Sequence, residues 1–500
     1  MSKRSINTRI ITAMLCSTML AFALVGCNQR TNENSKPTAT GSEEETSQSK
    51  EVTAEATETV EHNALSKFDL NTEPTPSNYV NLADELKNAL DQNPEDTDIS
   101  LAYAEKLLQL GRVPEAKEVL VPIMAGDTPN SQAIYLSAQA EYLAGNYDQS
   151  ETYYQTLLND YPDYKTKAEF GLELVYYQTN QYEKAQSLSG EYPSRTGVGD
   201  LMRNFGDREP YKVSWEDEEE TTIPFLVTDP LPIVQAEING EMKYFLLDTG
   251  ASDTYLSKSV ADEFGLETIA TQTAPYAGGV TVETNYGVLD SMKLNGVTLE
   301  NVPVNIADID HLANTVDEEY EISGVIGTGV YKQFLVTMDY INGELILKPR
   351  GEHVQAESNA IDVPFIMAEL HFMLCRTLVN GKEINMWPDS GLASEESLLL
   401  TDGAMEYTGI PLPDMSNASD EGGGGGLGGK DFETGTFTAD TYKMGDLPEV
   451  KNMKGMAGIL PGSGFEEEPN IFLDGIISHN YLKEFKWTID YDTMTMTFAN

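Results

Sequence analysis

The chain has 500 residues, of which 81 are acidic and 32 are basic, and its formal net charge at pH 7 is −49. This charge argues against nucleic acid as a partner, because binding to phosphates depends on Lys and Arg side chains. It also argues against docking on an anionic lipid face without a further anchor. At about 150 residues per domain, the length predicts roughly three structural units.

The N-terminus has the pattern of a secretion signal: three basic residues within the first nine, then an apolar run over 10–26 without acidic residues. The run ends in LVGC, which resembles the lipobox of bacterial lipoproteins. The resemblance implies that the signal peptide 1–26 is removed and that Cys27 is lipidated. The protein would then be anchored in the cell envelope, facing the periplasm or the cell surface, with Asn28 favouring the outer membrane. An ordinary signal peptide with an incidental cysteine is the alternative.

Residues 27–75 are rich in Ser, Thr and Glu, and 31–62 contain no aromatic residue and no Leu, Ile, Met or Phe. A segment of this composition cannot bury a hydrophobic core. We therefore predict a disordered acidic tether between the membrane anchor and the first folded unit.

Residues 76–200 are predicted to be helical and repetitive. GRVPEA from Gly111, GNYDQS from Gly145 and NQYEKA from Asn180 begin 34 and 35 residues apart. This spacing resembles the tetratricopeptide repeat, whose period is about 34 residues. Three small residues fall where that repeat needs close helix packing: Ala116, Ser150 and Ala185. A plain bundle of helical hairpins is the alternative, and the repeat would serve as a surface for a protein partner or as a spacer.

An acidic connector, 201–222, precedes a region of short alternating strands with Gly and Asn turns that continues to the C-terminus. The predicted fold is therefore multidomain, with a helical repeat followed by an all-β region.

The all-β region contains an internal duplication. Asp248-Thr249-Gly250 recurs 141 residues later as Asp389-Ser390-Gly391, and an Asn-Gly pair precedes each aspartate by the same interval. The segments GVIGTGVYKQFLVTMDY and GIISHNYLKEFKWTIDY close the two copies. We therefore predict two equivalent lobes, lobe 1 at 223–350 and lobe 2 at 351–500, each carrying one aspartate at the same internal position.

The Asp-Thr-Gly-Ala-Ser motif, followed by an apolar-apolar-Gly segment, resembles the retropepsin-like aspartic proteases, here with two lobes fused in one chain as in pepsins. The resemblance implies a peptide-hydrolysing site in which Asp248 and Asp389 share one proton and activate a water molecule, without a metal or a cofactor. It implies that Thr249 and Ser390 lock the two loops together and that the amides near Gly250 and Gly391 approach the carboxylates. Ser252 is expected to brace the outer oxygen of Asp248.

A flap over the substrate is expected in each lobe. In lobe 1 the candidate is PYAGGV, with Tyr276, Gly278 and Gly279, and in lobe 2 it is the glycine-rich segment 421–432. The alternatives are an exposed loop tyrosine at 276 and disordered surface loops for both glycine segments.

Lobe 2 departs from the pattern at three positions. Pro388 precedes the second aspartate, Leu392 follows the triad, and Ser478 stands where lobe 1 has Gly327. A non-catalytic, peptide-binding or scaffolding lipoprotein with a degenerate second lobe is therefore the alternative function. The separation of the two carboxyl groups distinguishes the functions: about 3 Å with a solvent-filled cleft favours the enzyme, and more than about 6 Å favours the binder.

Other site types fit the sequence poorly. The glycine-rich segment lacks the Ser or Thr of a phosphate-binding loop after Lys430, and the five histidines have no spacing typical of zinc ligands. If Cys16 leaves with the signal and Cys27 carries lipid, Cys375 remains without a disulfide partner.

Overall fold

The computed structural model describes residues 64–126, 130–189, 197–216, 220–276, 280–309, 319–352, 359–413, 434–458 and 471–499, with two-residue strands at 12–13, 424–425 and 431–432. Cys27 and most of the predicted tether lie outside the described residues. Within the described part of the chain, no helix combines the length and the apolar composition needed to cross a membrane.

The first unit is helical, as predicted. Its α-helices are Pro76–Gln92, Thr97–Gln109, Val113–Met124, Ser131–Leu143, Tyr147–Asp160, Lys165–Gln178, Tyr182–Ala185 and Val198–Asn204. Short 3-10 helices lie at Ala64–Lys67 and Pro162–Tyr164. Side-chain oxygens of Thr75, Asp96 and Asn130 accept hydrogen bonds from the first turns of three helices, which fixes where those helices begin.

The three predicted repeats have turns of the same geometry. Gly111, Gly145 and Asn180 all have positive φ, at 69°, 77° and 57°, so the turn needs a residue that tolerates the left-handed conformation. In each turn the next amide donates to the carbonyl five residues earlier, at 2.8 to 2.9 Å. The small residues Ala116, Ser150 and Ala185 are fully buried at the helix contacts. The tetratricopeptide-like array is therefore confirmed.

Lobe 1 is built on an eight-stranded sheet. In spatial order its strands are Lys212–Trp215, Val297–Ala307, Thr254–Ser257, Ile322–Ile326, Glu241–Leu247, Ile233–Ile238, Val280–Leu294 and Ala270–Tyr276. Val280–Leu294 also pairs with Val297–Ala307, so six of these strands close into a ring. A short helix, Lys258–Phe264, follows the strand Thr254–Ser257, and another, Thr328–Tyr331, follows Ile322–Ile326.

Lobe 2 repeats the ring. Its strands, in spatial order, are Lys382–Pro388, Gly475–Ile477, Leu398–Leu400, Val450–Gly458, Thr434–Met444 and Phe372–Val379, and the last pairs back to the first. Each pair of adjacent strands in this ring is parallel or antiparallel in the same way as the corresponding pair in lobe 1. The helices Asp402–Thr408 and His479–Leu482 match the two short helices of lobe 1. The duplication inferred from sequence is thus visible as topology.

A central sheet joins the lobes. It runs in the order Ile361–Ala368, Thr495–Ala499, Lys486–Asp490, Phe334–Asp339, Glu344–Pro349 and Thr221–Pro224. The two closing segments of the duplication meet at its middle, where Thr337 pairs with Thr488 and their hydroxyl oxygens are 2.7 Å apart. One apolar core extends through both lobes beneath this sheet.

The helical array is packed on the β region at all three repeat turns. A methyl group added at Gly111 would lie 2.6 Å from Oδ1 of Asn385, and one added at Gly145 would lie 2.7 Å from Cγ of Met494. At the third turn, Nδ2 of Asn180 donates to Gln333 at 2.8 Å. The array and both lobes therefore form one continuous body.

Two predicted boundaries shift because apolar side chains in the flanking segments find partners. Leu65 and Phe68, within the predicted tether 27–75, pack against the first two helices. In the predicted connector 201–222, the strand Lys212–Trp215 pairs with the long strand Val297–Ala307 of lobe 1. Trp215 also meets the ring of Phe334 edge-on at 5.7 Å. Hence the connector is partly an edge strand of lobe 1.

Candidate active site

Two strands from different lobes end at the predicted aspartates. Glu241–Leu247 leads to Asp248 and Lys382–Pro388 leads to Asp389, and each strand runs parallel to the apolar strand near the end of its own lobe. The amide of Asp248 donates to the carbonyl of Ile326 at 3.0 Å, and the amide of Asp389 donates to that of Ile477 at 2.9 Å. The same backbone bond therefore places both aspartates at the junction of the lobes.

Thr249 and Ser390 lock the two loops together, as the resemblance implies. The Thr249 amide donates to the Ser390 hydroxyl at 2.9 Å, and the Ser390 amide donates to the Thr249 hydroxyl at 3.0 Å. The hydroxyls then donate onward, that of Thr249 to the Pro388 carbonyl at 2.9 Å and that of Ser390 to the Leu247 carbonyl at 3.3 Å. All four bonds cross between the lobes, and they form two pseudo-symmetric pairs.

The two glycines bring the carboxyl groups face to face. Each amide binds the aspartate two residues earlier, Gly250 to Oδ1 of Asp248 at 2.6 Å and Gly391 to Oδ1 of Asp389 at 2.8 Å. A Cβ atom at Gly250 would lie 2.5 Å from Oδ1 of Asp389 and 2.8 Å from Oδ1 of Asp248, so these oxygens cannot be more than 5.3 Å apart. This bound excludes the separation of more than about 6 Å expected of a binder without a dyad.

The electrostatic environment favours retention of a proton on the pair. Asp248 and Asp389 are fully buried, and their Oδ2 atoms accept no hydrogen bond within the described part of the chain. Burial raises the pKa of Asp248 well above its ordinary value, with the nearby Asp389 charge as the second cause. Burial also raises the pKa of Asp389, while its hydrogen bonds partly offset the increase. A shared proton relieves both the desolvation and the repulsion.

Ser252 does not brace Asp248. Its hydroxyl donates to Oδ2 of Asp253 at 3.2 Å instead, so the predicted role of Ser252 is wrong. Asp253 is a buried acid that sequence reasoning missed, and it also accepts hydrogen bonds from Tyr177 at 2.6 Å and Tyr286 at 3.3 Å. The sequence signal for this residue is an acidic side chain directly before the buried strand Thr254–Ser257.

Two of the three departures in lobe 2 preserve the site. Pro388 supplies the carbonyl that accepts the Thr249 hydroxyl, and proline lacks only the amide. The described ladder between its strand and Phe372–Val379 ends at Met386. In lobe 1 the amide of the equivalent residue, Leu247, donates to the Pro232 carbonyl at 3.1 Å, and proline cannot make this bond. Leu392 is buried in the core that lobe 2 shares with the helical array. The second half-site is therefore altered in sequence but retained in geometry.

Ser478 occupies the position in lobe 2 that Gly327 occupies in lobe 1, where there is no room for a side chain. At Gly327 a Cβ atom would lie 2.2 Å from the carbonyl oxygen of Asp253, whereas the Ser478 side chain fits and its hydroxyl donates to the Glu396 carbonyl at 2.6 Å. The backbone approach is the same in both lobes: the Thr328 amide binds the Ala251 carbonyl at 2.8 Å, and the equivalent bond of lobe 2 is 3.1 Å.

The reciprocal substitutions at these two positions should lower the free energy of unfolding by different amounts. Gly327→Ser should lower the free energy of unfolding by about 1–3 kcal/mol or more, because a backbone oxygen must move. Ser478→Gly should cost only about 1 kcal/mol, from one hydrogen bond. Urea unfolding of both variants measures the difference, and equal losses would contradict the assignment.

The flap candidate of lobe 1 lies on a hairpin. Tyr276 ends the strand Ala270–Tyr276 and pairs with Val280 on the next strand. Gly278 and Gly279 lie outside the described residues, as does most of the lobe 2 candidate 421–432. The structure therefore provides the hairpin base for a flap in lobe 1.

A thiol and an imidazole also lie buried in lobe 2. Cys375 is buried and reduced, and burial raises the pKa of its thiol to about 12. Burial lowers the pKa of His371 to about 3, and its ring packs against Trp387 at 5.4 Å. Among the residues that the structure describes, no group of three or more His, Cys, Asp or Glu side chains is arranged to hold a metal ion.

Comparison with known proteins supports both units. Residues 234–330 match the aspartyl protease family model, and residues 83–139 match a tetratricopeptide repeat model. A solved structure of a retropepsin-like aspartic protease from Rickettsia conorii is 19% identical and covers 28% of this chain and 94% of its own. Its TM-score of 0.19 is too low to carry a structural argument. No curated protein matches the chain.

Proposed function

We propose that this protein, in which an aspartyl protease domain follows tetratricopeptide repeats, is an aspartic endopeptidase that uses Asp248 and Asp389 as its catalytic dyad. The observation that carries the proposal is the reciprocal lock of Thr249 and Ser390, which sets the two carboxyl groups opposite each other. Two buried acids held at this separation are costly to ionise together, and such an arrangement suits general acid–base chemistry.

The mechanism follows from one proton shared between the two carboxyl groups. The ionised aspartate takes a proton from a water molecule, whose oxygen attacks the carbonyl carbon of the peptide bond. The protonated aspartate donates its proton to the carbonyl oxygen, so that a neutral tetrahedral diol forms. The carboxyl group that is now protonated gives its proton to the leaving nitrogen, while the ionised carboxylate takes a proton from one diol hydroxyl. The C–N bond breaks, a carboxylic acid and an amine leave, and the singly protonated pair is restored. The roles belong to the dyad rather than to either residue.

We further propose that the enzyme is a lipoprotein of the bacterial cell envelope that acts on polypeptides, and that its repeats can bind a protein. The N-terminal signal with Cys27 supports the anchor, and the family matches support a polypeptide substrate and a protein-binding array. Metabolic labelling with a fatty acid, compared between the unmutated protein and Cys27→Ala, tests the anchor. Equal labelling of both would exclude lipidation at that residue.

The cleavage rate should depend on the protonation of the dyad and fall at both high and low pH. The raised pKa values mean that one proton stays on the pair above the ordinary range of aspartate, about 3.9. Activity should therefore persist above that range and disappear when the last proton leaves, and it should also fall at low pH when both groups are protonated. A bell-shaped profile of kcat against pH is expected, and a rate that keeps rising through pH 8 would contradict it.

A peptide library derived from a proteome provides the direct assay. The full-length protein should generate new peptide ends, and a statine-type inhibitor, whose hydroxyl imitates the tetrahedral diol, should suppress them. Co-purification of an intact polypeptide without any cleavage would instead support the peptide-binding alternative.

A further inference from the structure

The helix Lys165–Gln178 contacts both lobes with two consecutive residues at its C-terminal end. Tyr177 is fully buried and contacts lobe 1, whereas Gln178 is 6% exposed and contacts lobe 2. These two residues, named the bridge below, belong to the helical array and not to either lobe. A single helical turn therefore connects the two halves of the site.

Tyr177 is held by lobe 1 beside the catalytic loop. Its hydroxyl donates to Oδ1 of Asp253 at 2.6 Å and is 3.2 Å from the carbonyl oxygen of Ser252. Nζ of Lys332 donates to the Tyr177 carbonyl at 3.0 Å and lies 3.8 Å from the ring centroid. Asp253 and Ser252 follow Asp248 by five and four residues, so this contact fixes the segment that carries the first aspartate.

Gln178 is held by the hairpin that precedes the second aspartate. Its Nε2 donates to the carbonyl of Glu369 at 3.1 Å and to that of Leu370 at 2.9 Å. Two residues further on, the ring of Phe372 meets Trp387 edge-on at 4.7 Å. Trp387 is fully buried and stands two residues before Asp389. A continuous set of contacts thus leads from Gln178 to the second aspartate.

We propose that Tyr177 and Gln178 are positioning residues of the peptidase site, and that the bridge holds the lobes at the separation in which Asp248 and Asp389 share a proton. The inference rests on the proposed function and extends it: the repeat array is a structural part of the active site as well as a surface for partners. The lobes are also tied by the Thr249–Ser390 lock, by the central sheet and by the ion pairs Lys483–Asp229 and Arg350–Asp492, and the bridge connects them on the helical side.

A double-mutant cycle tests the bridge, because loss of the contact to either lobe should remove the whole positioning effect. Tyr177→Phe and Gln178→Leu should each lower kcat about 10- to 100-fold with little change in KM, since a small misplacement of reacting groups has effects of this size. The double variant should be no slower than the slower single variant. Tyr176→Phe is the matched control: it lies on the same helix, is 3% exposed, and its ring centroid is 5.4 Å from Nζ of Lys184 inside the array. Its kcat should not change.

Hydrogen exchange gives a readout that does not need activity. The amides of Thr249 and Ser390 should exchange faster in Tyr177→Phe and Gln178→Leu than in the unmutated protein or Tyr176→Phe. If the unmutated protein cleaves nothing but this exchange pattern is found, the proposed function fails and the bridge stands. Multiplicative losses of kcat in the double variant, with exchange at the lock unchanged, would overturn the bridge.

Discussion

Replacement of Asp248 or Asp389 by Asn is expected to lower kcat about 100- to 10,000-fold, the range typical of a lost general acid or base. An amide can neither take a proton from water nor share one with its neighbour, while its size leaves the loop in place. Rates of peptide cleavage for the two variants and the unmutated protein measure the effect. Unchanged cleavage by Asp248→Asn from about pH 3 to pH 8, a range that brackets ordinary carboxyl pKa values, would exclude the dyad.

The same two variants should be more stable than the unmutated protein at neutral pH. A carboxyl group whose pKa is raised by folding stabilises the fold below its unfolded pKa, and that contribution is lost as pH rises through the folded pKa. At pH 7 to 8, Asn removes this penalty, so Tm should rise, whereas near pH 3 the difference should vanish. Asp290→Asn, an exposed site of lobe 1, is the control and should leave Tm unchanged. A lower Tm for both dyad variants at pH 8 would contradict the burial argument.

Thr249→Val should cost both stability and activity. The substitution removes the hydroxyl that donates to the Pro388 carbonyl and accepts from the Ser390 amide, so two buried groups lose a partner. Each such group costs about 1–3 kcal/mol, and the free energy of unfolding should fall by several kcal/mol. Because the lock also sets the distance between the aspartates, kcat should fall with it. Denaturant unfolding and peptide cleavage measure the two effects.

A matched control for this change lies five residues away. Thr254 is fully buried, and its hydroxyl has no hydrogen-bond partner within the described residues. Thr254→Val should therefore be neutral or slightly stabilising and should leave kcat unchanged. If Thr249→Val behaved like Thr254→Val, the lock would have no energetic role.

The features predicted correctly from sequence are those with a local or repeated signature. The turn of the array recurs at Gly111, Gly145 and Asn180 because each turn needs a positive φ, and such a requirement is visible in the residue type. The duplicated lobes could be predicted because both copies keep the aspartate, the preceding hairpin and the closing strand in the same order. The locking role of Thr249 and Ser390 is implied by the resemblance to the aspartic proteases, whose motif has a hydroxyl residue directly after the aspartate.

The features that sequence reasoning missed depend on contacts between distant segments. Asp253 accepts a hydrogen bond from Tyr177, which lies 76 residues earlier in the helical array, and no periodic pattern in the sequence indicates this contact. The docking of the array on both lobes, at Asn385 and Met494, likewise has no local signature. The sequence predicts that Ser478 weakens lobe 2, because the space around a missing Cβ atom cannot be inferred from the residue type alone.

The helical array bonds directly to the lobes. An adaptor on a flexible linker would leave the lobes unaffected, whereas here Gln178 and Tyr142 bond directly to the lobe 2 hairpin at Glu369. Gln178 also binds Tyr142 at 3.1 Å, which links two helices of the array to the same carbonyl. If the bridge holds the lobes as proposed, a partner that bends the array would change the separation of Asp248 and Asp389.

The shared proton is the central claim, and a carboxyl carbon-13 NMR titration tests it most directly. Spectra of the unmutated protein minus those of Asp389→Asn and of Asp248→Asn isolate the two aspartates. The pair should lose its protons in two separate steps, with the second step well above the ordinary aspartate range. Two independent titrations near the ordinary value, unaffected by substitution of the other residue, would contradict it.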